Sequence, residues 1–132
     1  MSHRFDLRVY YEDTDLAGIV YYANYLKFIE RARSEWVREM GIDQVALKAE
    51  HGAVFAVSRV EADYIRPAKF DDLLQVETVI TSASAARVVF RQTVWRGADR
   101  LFHADVTVVF LDGSGRPKRL PAQLKQVTVQ AE

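Results

Sequence analysis

The acidic residues Glu12, Asp13 and Asp15 lie together near the start of the chain. They follow a short stretch in which apolar and polar residues alternate, as in a strand, and they precede a helical pattern. The first N–H groups of a helix have no partner within the helix and carry partial positive charge. A carboxylate beside them can act as a nucleophile or activate water, while backbone amides stabilise the negative oxygen that develops. The sequence therefore favours a catalytic site at this junction.

The elements that must position this segment are predicted from the spacing of apolar residues. Residues 5–11 alternate as in a half-buried strand. From about residue 23 to residue 40, apolar residues recur at three- and four-residue steps, which predicts a long amphipathic helix that stops at Gly41. Asp43 is placed to cap a second, short helix that reaches about Glu50.

The rest of the chain favours strands, at about residues 53–64, 73–83, 86–96 and 101–111. Short reversals separate the last three, so we expect an antiparallel meander. Residues 112–115 (Asp-Gly-Ser-Gly) are predicted to form a turn, and the remaining residues a tail that contains Pro121. One long helix and about five mainly antiparallel strands indicate an α+β fold in which the sheet wraps around the central helix.

Composition narrows the function classes. A chain of 132 residues with 49% hydrophobic content fits a single domain with one core. The absence of cysteine excludes disulfides, thiolate catalysis and thiolate zinc sites. The formal net charge is zero, so no overall field favours nucleic acid or an anionic membrane. No apolar run approaches the roughly 20 residues that span a bilayer, and we expect a soluble, cytoplasmic protein.

Residues 11–25, which read YEDTDLAGIVYYANY, resemble the active-site signature of the 4-hydroxybenzoyl-CoA thioesterase family, a hotdog-fold family. The version present here is most similar to that of the YbgC-type acyl-CoA thioesterases. Residues 63–68 (DYIRPA) and 71–73 (DDL) also resemble the family's passage from the second to the third strand. The resemblance implies that residues 1–132 form one hotdog-fold thioesterase domain, which hydrolyses an acyl-CoA thioester to free acid and coenzyme A.

The same resemblance implies roles for individual residues. Asp15 matches the family's catalytic aspartate, as a nucleophile or as a general base. Tyr22 matches the position whose backbone N–H polarises the thioester carbonyl, and we expect its ring merely to pack. Gly18, Ile19 and Val20 are implied in substrate binding. Taken without its context, Asp15 would more simply cap a turn or a helix, and Gly18 would be an ordinary turn glycine.

Other functions remain open from the residues alone. Glu12, Asp13 and Asp15 could bind Mg²⁺ or Ca²⁺, but the spacing of an EF-hand loop is missing and we expect no metal site. A hotdog hydratase or dehydratase usually needs a histidine with a carboxylate, and the motif contains no histidine. A non-catalytic module that binds acyl-CoA or a protein is the third possibility.

The resemblance also implies partners. It predicts a homodimer or homotetramer with active sites at the interface between chains, and no cofactor, since coenzyme A belongs to the substrate. It suggests an association with the Tol–Pal system or with phospholipid synthesis. The residues that contact coenzyme A stay unassigned, and the basic candidates are chosen by charge alone: Arg66, Lys69, Arg87, Arg116, Lys118 and Arg119.

Overall fold

The structure, a computed structural model, describes residues 1–131 of the chain, and residues 1–127 with their side chains. Five strands form a single sheet in the order β1-β3-β4-β5-β2, and every neighbouring pair is antiparallel. The strands are β1 (His3–Arg8), β2 (Val54–Tyr64), β3 (Leu73–Ala83), β4 (Arg87–Arg96) and β5 (Asp99–Leu111). The predicted α+β class with five antiparallel strands, including the β3–β4–β5 meander, is confirmed.

Within the described residues, three α-helices accompany the sheet: α1 (Asn24–Glu39), α2 (Gln44–His51) and α3 (Ala122–Ala131). The residues of α1 that recur at helical spacing, among them Phe28, Ala32 and Trp36, are buried, as the sequence predicts. α2 begins where Asp43 accepts a hydrogen bond from the Ala46 N–H at 3.0 Å. Both helices therefore lie within two residues of their predicted bounds.

A buried polar network attaches α1 to the sheet. The Gln92 side chain, which is fully buried, donates hydrogen bonds to the Ile29 carbonyl at 2.8 Å and to the Thr78 hydroxyl at 3.0 Å. Its amide oxygen accepts a hydrogen bond from the Arg33 guanidinium at 2.9 Å. Burial lowers the pKa of Arg33, and the nearby Glu30 partly opposes this shift. These bonds fix the rotation of α1 about its axis and its position along the sheet. They therefore also fix the position of its N-terminus.

Two parts of the chain differ from the sequence prediction. β1 ends at Arg8 rather than at residue 11, because the Asp13 carboxylate accepts a hydrogen bond from the Tyr10 N–H at 2.8 Å and starts a short 3-10 helix. The predicted tail contains α3, which begins directly after Pro121. Leu124, on this helix, is fully buried and helps to close the core.

No helix among residues 1–131 combines the length and the apolar character that crossing a membrane requires.

Candidate active site

The acidic motif folds as a tight hairpin before α1. Thr14 and Val20 form an antiparallel bridge, and the Tyr21 N–H donates to the Asp13 carbonyl at 2.8 Å. Antiparallel pairing places opposite residues side by side. Residues 13–15, the acidic arm of the hairpin, are therefore held against residues 19–21, its apolar arm. The predicted loop therefore has a defined register.

Asp15 lies at the end of this hairpin, where the chain turns. Its N–H donates to the Ile19 carbonyl and its carbonyl accepts from the Gly18 N–H, both at 2.9 Å. This pattern is that of a three-residue hairpin loop, which needs a residue of positive φ, and Gly18 has a φ of 81°. A Cβ built on Gly18 would meet no atom within 4 Å, so its backbone angle, not crowding within the chain, requires glycine.

The Asp15 carboxylate is exposed and only partly engaged. One oxygen, Oδ1, accepts a hydrogen bond from the Ala17 N–H at 2.9 Å, which stabilises the turn. The other oxygen, Oδ2, has no hydrogen-bond partner within residues 1–131. Asp15 thus does cap its own turn, and it also presents a free carboxylate oxygen for chemistry.

Tyr22 immediately precedes Ala23, which occupies the N-cap position of α1. The Tyr21 carbonyl accepts a hydrogen bond from the Asn24 N–H at 2.8 Å. Because a trans peptide is planar, the Tyr22 N–H of the same peptide points in the opposite direction. Neither this N–H nor that of Ala23 has a hydrogen-bond partner in the described part of the chain. Two successive amides are therefore free at the entrance to the helix.

The start of the helix is tied to the hairpin by a side chain. Ala23 cannot cap the helix with its own side chain, and Asn24, the first helical residue, is largely buried. The Asn24 amide donates to the Asp13 carbonyl at 2.9 Å. This bond fixes the hairpin that carries the carboxylate relative to the helix that follows it.

A cavity of about 300 Å³ lies beside Tyr22, at the start of α1. Its walls come from three elements: the apolar arm of the hairpin, the start of α1, and the end of β2 with the residues after it. The residues that line it are Ile19, Val20, Tyr22, Tyr25, Tyr64, Ile65, Arg66 and Pro67. Asp15 is not a lining residue, although its backbone is paired with that of Ile19, which is.

The passage from β2 to β3 holds the hairpin in place. The Val20 N–H donates to the Ala68 carbonyl at 2.8 Å, and Ile19 forms a bridge with Lys69. The Ala68 N–H donates in turn to the Tyr25 hydroxyl at 3.0 Å. Ala68 is fully buried, so these bonds are shielded from water.

A salt bridge braces the same passage. The Arg96 guanidinium donates to the Asp72 carboxylate at 2.8 Å and to the Pro67 carbonyl at 3.3 Å. The same Asp72 oxygen accepts the Lys69 N–H at 2.8 Å. The passage that resembles the family's second motif thus supports the cavity wall.

Burial changes the ionisation of two tyrosines around the cavity. It raises the pKa of Tyr25, against a smaller opposing effect of the hydrogen bond from Ala68. It also raises the pKa of Tyr64, and the nearby Tyr22 and Tyr25 add to this effect. Because the ordinary pKa of tyrosine is about 10, both phenols are neutral at ordinary pH, and the shifts extend that range upward.

The Tyr22 side chain is 61% exposed, and its ring makes edge contacts with Tyr21 and Tyr64. Of the six basic residues selected by charge, Arg66 lines the cavity, where it lies 3.6 Å from Asp99. Within the described residues, no group of three or more His, Asp or Glu side chains is arranged to hold a metal ion.

Sequence reasoning gave no role to Tyr64, although it lies in the second motif. Its hydroxyl donates to the Tyr22 carbonyl at 2.9 Å, across 42 positions of sequence. The signal available in the sequence was an aromatic residue at the end of a predicted strand, three residues before Pro67. Only the fold shows that this strand ends beside the start of α1.

A five-stranded antiparallel sheet packed against a helix, with a carboxylate-bearing hairpin and free amides at the start of that helix, defines a hotdog-fold protein of the thioesterase type. The chain belongs to the thioesterase superfamily, whose family model matches residues 17–103. The predicted family and the prediction of a thioester hydrolase are thereby confirmed.

Two curated relatives are similar over nearly their full length. The chain is 42% identical to "Acyl-CoA thioesterase YbgC" of Haemophilus influenzae over 122 residues, which is 92% of this chain and 90% of that protein. It is 41% identical to "Acyl-CoA thioester hydrolase YbgC" of Escherichia coli over 129 residues, 93% of this chain and 96% of that protein.

A solved structure shares the fold. The crystal structure of a probable thioesterase from Bartonella henselae matches with a TM-score of 0.87 and 37% identity, covering 92% of this chain and all of that chain. The five-stranded architecture of this protein thus matches that of a probable thioesterase.

Proposed function

We propose that this protein is an acyl-CoA thioesterase, which hydrolyses an acyl-CoA thioester to free acid and coenzyme A, and that residues 1–132 act as one domain. The names of the two curated relatives support the substrate class. The observation that carries the proposal is structural. Along the chain, the Asp15 carboxylate, which has a free oxygen, comes just before the segment that contributes Ile19 and Val20 to the cavity wall. The free amides of Tyr22 and Ala23 come just after it.

Asp15 is the proposed catalytic carboxylate, and two routes fit its free oxygen. In the nucleophilic route Asp15 attacks the thioester carbonyl carbon, the C–S bond breaks, and the coenzyme A thiolate leaves and is protonated by water. Water then hydrolyses the mixed anhydride to release the acid and restore the carboxylate. In the general-base route Asp15 takes a proton from water, whose oxygen attacks the carbonyl, and the proton passes to the departing thiolate.

The Tyr22 N–H is the proposed donor to the oxygen that becomes negative in either route. It is a main-chain group fixed by the turn before α1, so it needs little reorganisation as charge develops. Removal of one such donor costs about 2.7–4 kcal/mol in a well-studied hydrolase, which sets the scale for this amide.

Gly18, Ile19 and Val20 are the proposed substrate-binding residues of the hairpin. Gly18 gives the turn its shape, while Ile19 and Val20 form part of the cavity wall. Arg66, on the same wall, is suited to the phosphates of coenzyme A by its charge and its forked donors. The proposed chemistry needs no metal and no bound cofactor.

We also propose that the protein acts as a homodimer or homotetramer. β2 is the last strand of the sheet, so one of its edges carries unpaired backbone groups. Val57 and Val60 on this strand are substantially exposed, which suits pairing with a second copy. Sedimentation equilibrium measures the assembly state directly, and a monomer would contradict the proposal.

The experiment for the activity is a panel of aromatic and aliphatic acyl-CoAs, with free thiol measured as it is released. A thioesterase releases one thiol for each acid formed. A hydratase or dehydratase would alter the acyl chain without releasing thiol, and a binding module would bind acyl-CoA without turnover.

Location in the cytoplasm and association with the Tol–Pal system or phospholipid synthesis stay predictions.

A further inference from the structure

Tyr64 is the last residue of β2, and its ring is held in one place by other aromatic rings. It makes edge contacts with Tyr22, Tyr25 and Phe102, with ring centroids 6.2, 5.5 and 5.0 Å apart. Edge-to-face contacts of this kind fix the orientation of a ring as well as its position. The hydroxyl of Tyr64 is thus presented at a defined point, 2.9 Å from the Tyr22 carbonyl oxygen.

That carbonyl has no other hydrogen-bond partner in the described residues. In a regular α-helix it would accept from the N–H four positions later, but the Leu26 N–H donates to the Ala23 carbonyl instead, at 3.2 Å. The hydroxyl of Tyr64 is therefore what satisfies this carbonyl.

The peptide between Tyr22 and Ala23 is the central peptide of a turn. The turn is closed by the hydrogen bond from the Asn24 N–H to the Tyr21 carbonyl. Type I and type II turns keep this closing bond but differ in the orientation of the central peptide. Ala23 has φ −71° and ψ −21°, which belongs to the type I arrangement. A change of orientation would swing the Ala23 N–H away from its present direction.

We propose that Tyr64 is a positioning residue for thioester hydrolysis, because its hydroxyl holds the Tyr22–Ala23 peptide in the orientation that presents the Ala23 N–H to the thioester oxygen, as a second donor beside the Tyr22 N–H. This inference rests on the proposed function of the site. The ordinary pKa of a tyrosine is about 10, and partial burial raises that of Tyr64, so its hydroxyl is protonated and a donor throughout the neutral range.

The test compares wild type with Tyr64→Phe, which removes the hydroxyl and keeps the ring. Tyr11→Phe is the matched control, because Tyr11 has no proposed catalytic or substrate-binding role and does not line the cavity. It is exposed, stacks on Phe70, and has no side-chain hydrogen bond in the described residues. For each protein, kcat and KM are measured on the best acyl-CoA of the panel, scaled to the folded fraction. Amide chemical shifts of Tyr22 and Ala23 are recorded by NMR on the same samples.

We expect Tyr64→Phe to lower kcat about fivefold to tenfold, the scale of one lost neutral hydrogen bond, with KM nearly unchanged. The amide signals of Tyr22 and Ala23 should move in Tyr64→Phe and stay in place in Tyr11→Phe. A raised KM at full kcat would make Tyr64 a substrate contact and overturn the inference. Full kcat per folded molecule, with or without loss of stability, would overturn it as well.

The same experiment separates this inference from the proposed function. If wild type releases no thiol from any acyl-CoA, the proposed function fails and the inference falls with it. If wild type is active and the Tyr64→Phe kinetics equal those of Tyr11→Phe, only the role of Tyr64 is lost.

Discussion

Replacement of Tyr25 by Phe removes one hydroxyl from the base of the candidate site. Tyr25 is 3% exposed, and its oxygen accepts the hydrogen bond from the Ala68 N–H. Phe keeps the stacked contact with Phe102, whose ring centroid lies 4.9 Å away. The substitution therefore tests the buried hydrogen bond with little change in apolar packing.

The size of the effect follows from burial. Ala68 is fully buried, so its N–H would be left without a partner and without water. A buried donor left unsatisfied costs about 1–3 kcal/mol. For a chain of 132 residues this corresponds to a fall of about 4–10 °C in the melting temperature. Activity should also fall, because the Ala68 carbonyl holds Val20 and thereby the hairpin of Asp15.

The assay is unfolding in urea at neutral pH, followed by circular dichroism, with Tyr11→Phe as the control for loss of an exposed hydroxyl. We expect the free energy of unfolding to fall by about 1–3 kcal/mol in Tyr25→Phe and by less than about 0.5 kcal/mol in the control. Equal stabilities for the two variants would refute the reasoning, since Ala68 would then not depend on the Tyr25 hydroxyl.

Two further predictions concern the hairpin and the tyrosines. Gly18→Ala should cost about 1–2 kcal/mol of stability because of the positive φ and should lower kcat, whereas Gly97→Ala, at a φ of 59° between β4 and β5, should cost stability alone. Equal kcat losses in the two variants would contradict a special role for the hairpin. Since the pKa values of Tyr25 and Tyr64 are raised in the folded state, their contribution to stability is fully present below pH 10 and is lost as the pH rises further. Urea unfolding from pH 8 to pH 11 should therefore show a smaller alkaline loss in Tyr25→Phe than in wild type, and parallel curves would count against this assignment.

Most of the fold could be predicted from sequence because apolar periodicity reports which face of an element is buried. The Phe28–Ala32–Trp36 stripe and the alternation in β3 to β5 are examples, and the Asp43 cap is a local signal. α3 was missed because its ten residues include Thr128 and two valines, which are weak helix formers, and Pro121 was interpreted as part of a tail.

The candidate site likewise contains parts that the sequence predicts and parts that it does not. The turn at Asp15 and Gly18 is encoded locally, by a carboxylate that bonds the amide two positions on and by a residue that accepts positive φ. The contacts of Tyr64 with Tyr22, and of Tyr25 with Ala68, join residues about 40 positions apart. No local pattern encodes such contacts, because they depend on how β2 and α1 pack.

The most direct test of the central claim is the turnover of Asp15→Asn, measured by thiol release from acyl-CoA, beside Glu12→Gln as a control. Both substitutions replace a carboxylate by an amide within the same motif, and Glu12 is exposed, with no side-chain hydrogen bond or ion pair in the described residues. We predict that Asp15→Asn lowers kcat by at least about a hundredfold, the lower scale for a positioned proton-transfer group, while Glu12→Gln stays close to wild type. Wild-type turnover in a correctly folded Asp15→Asn protein would contradict the account.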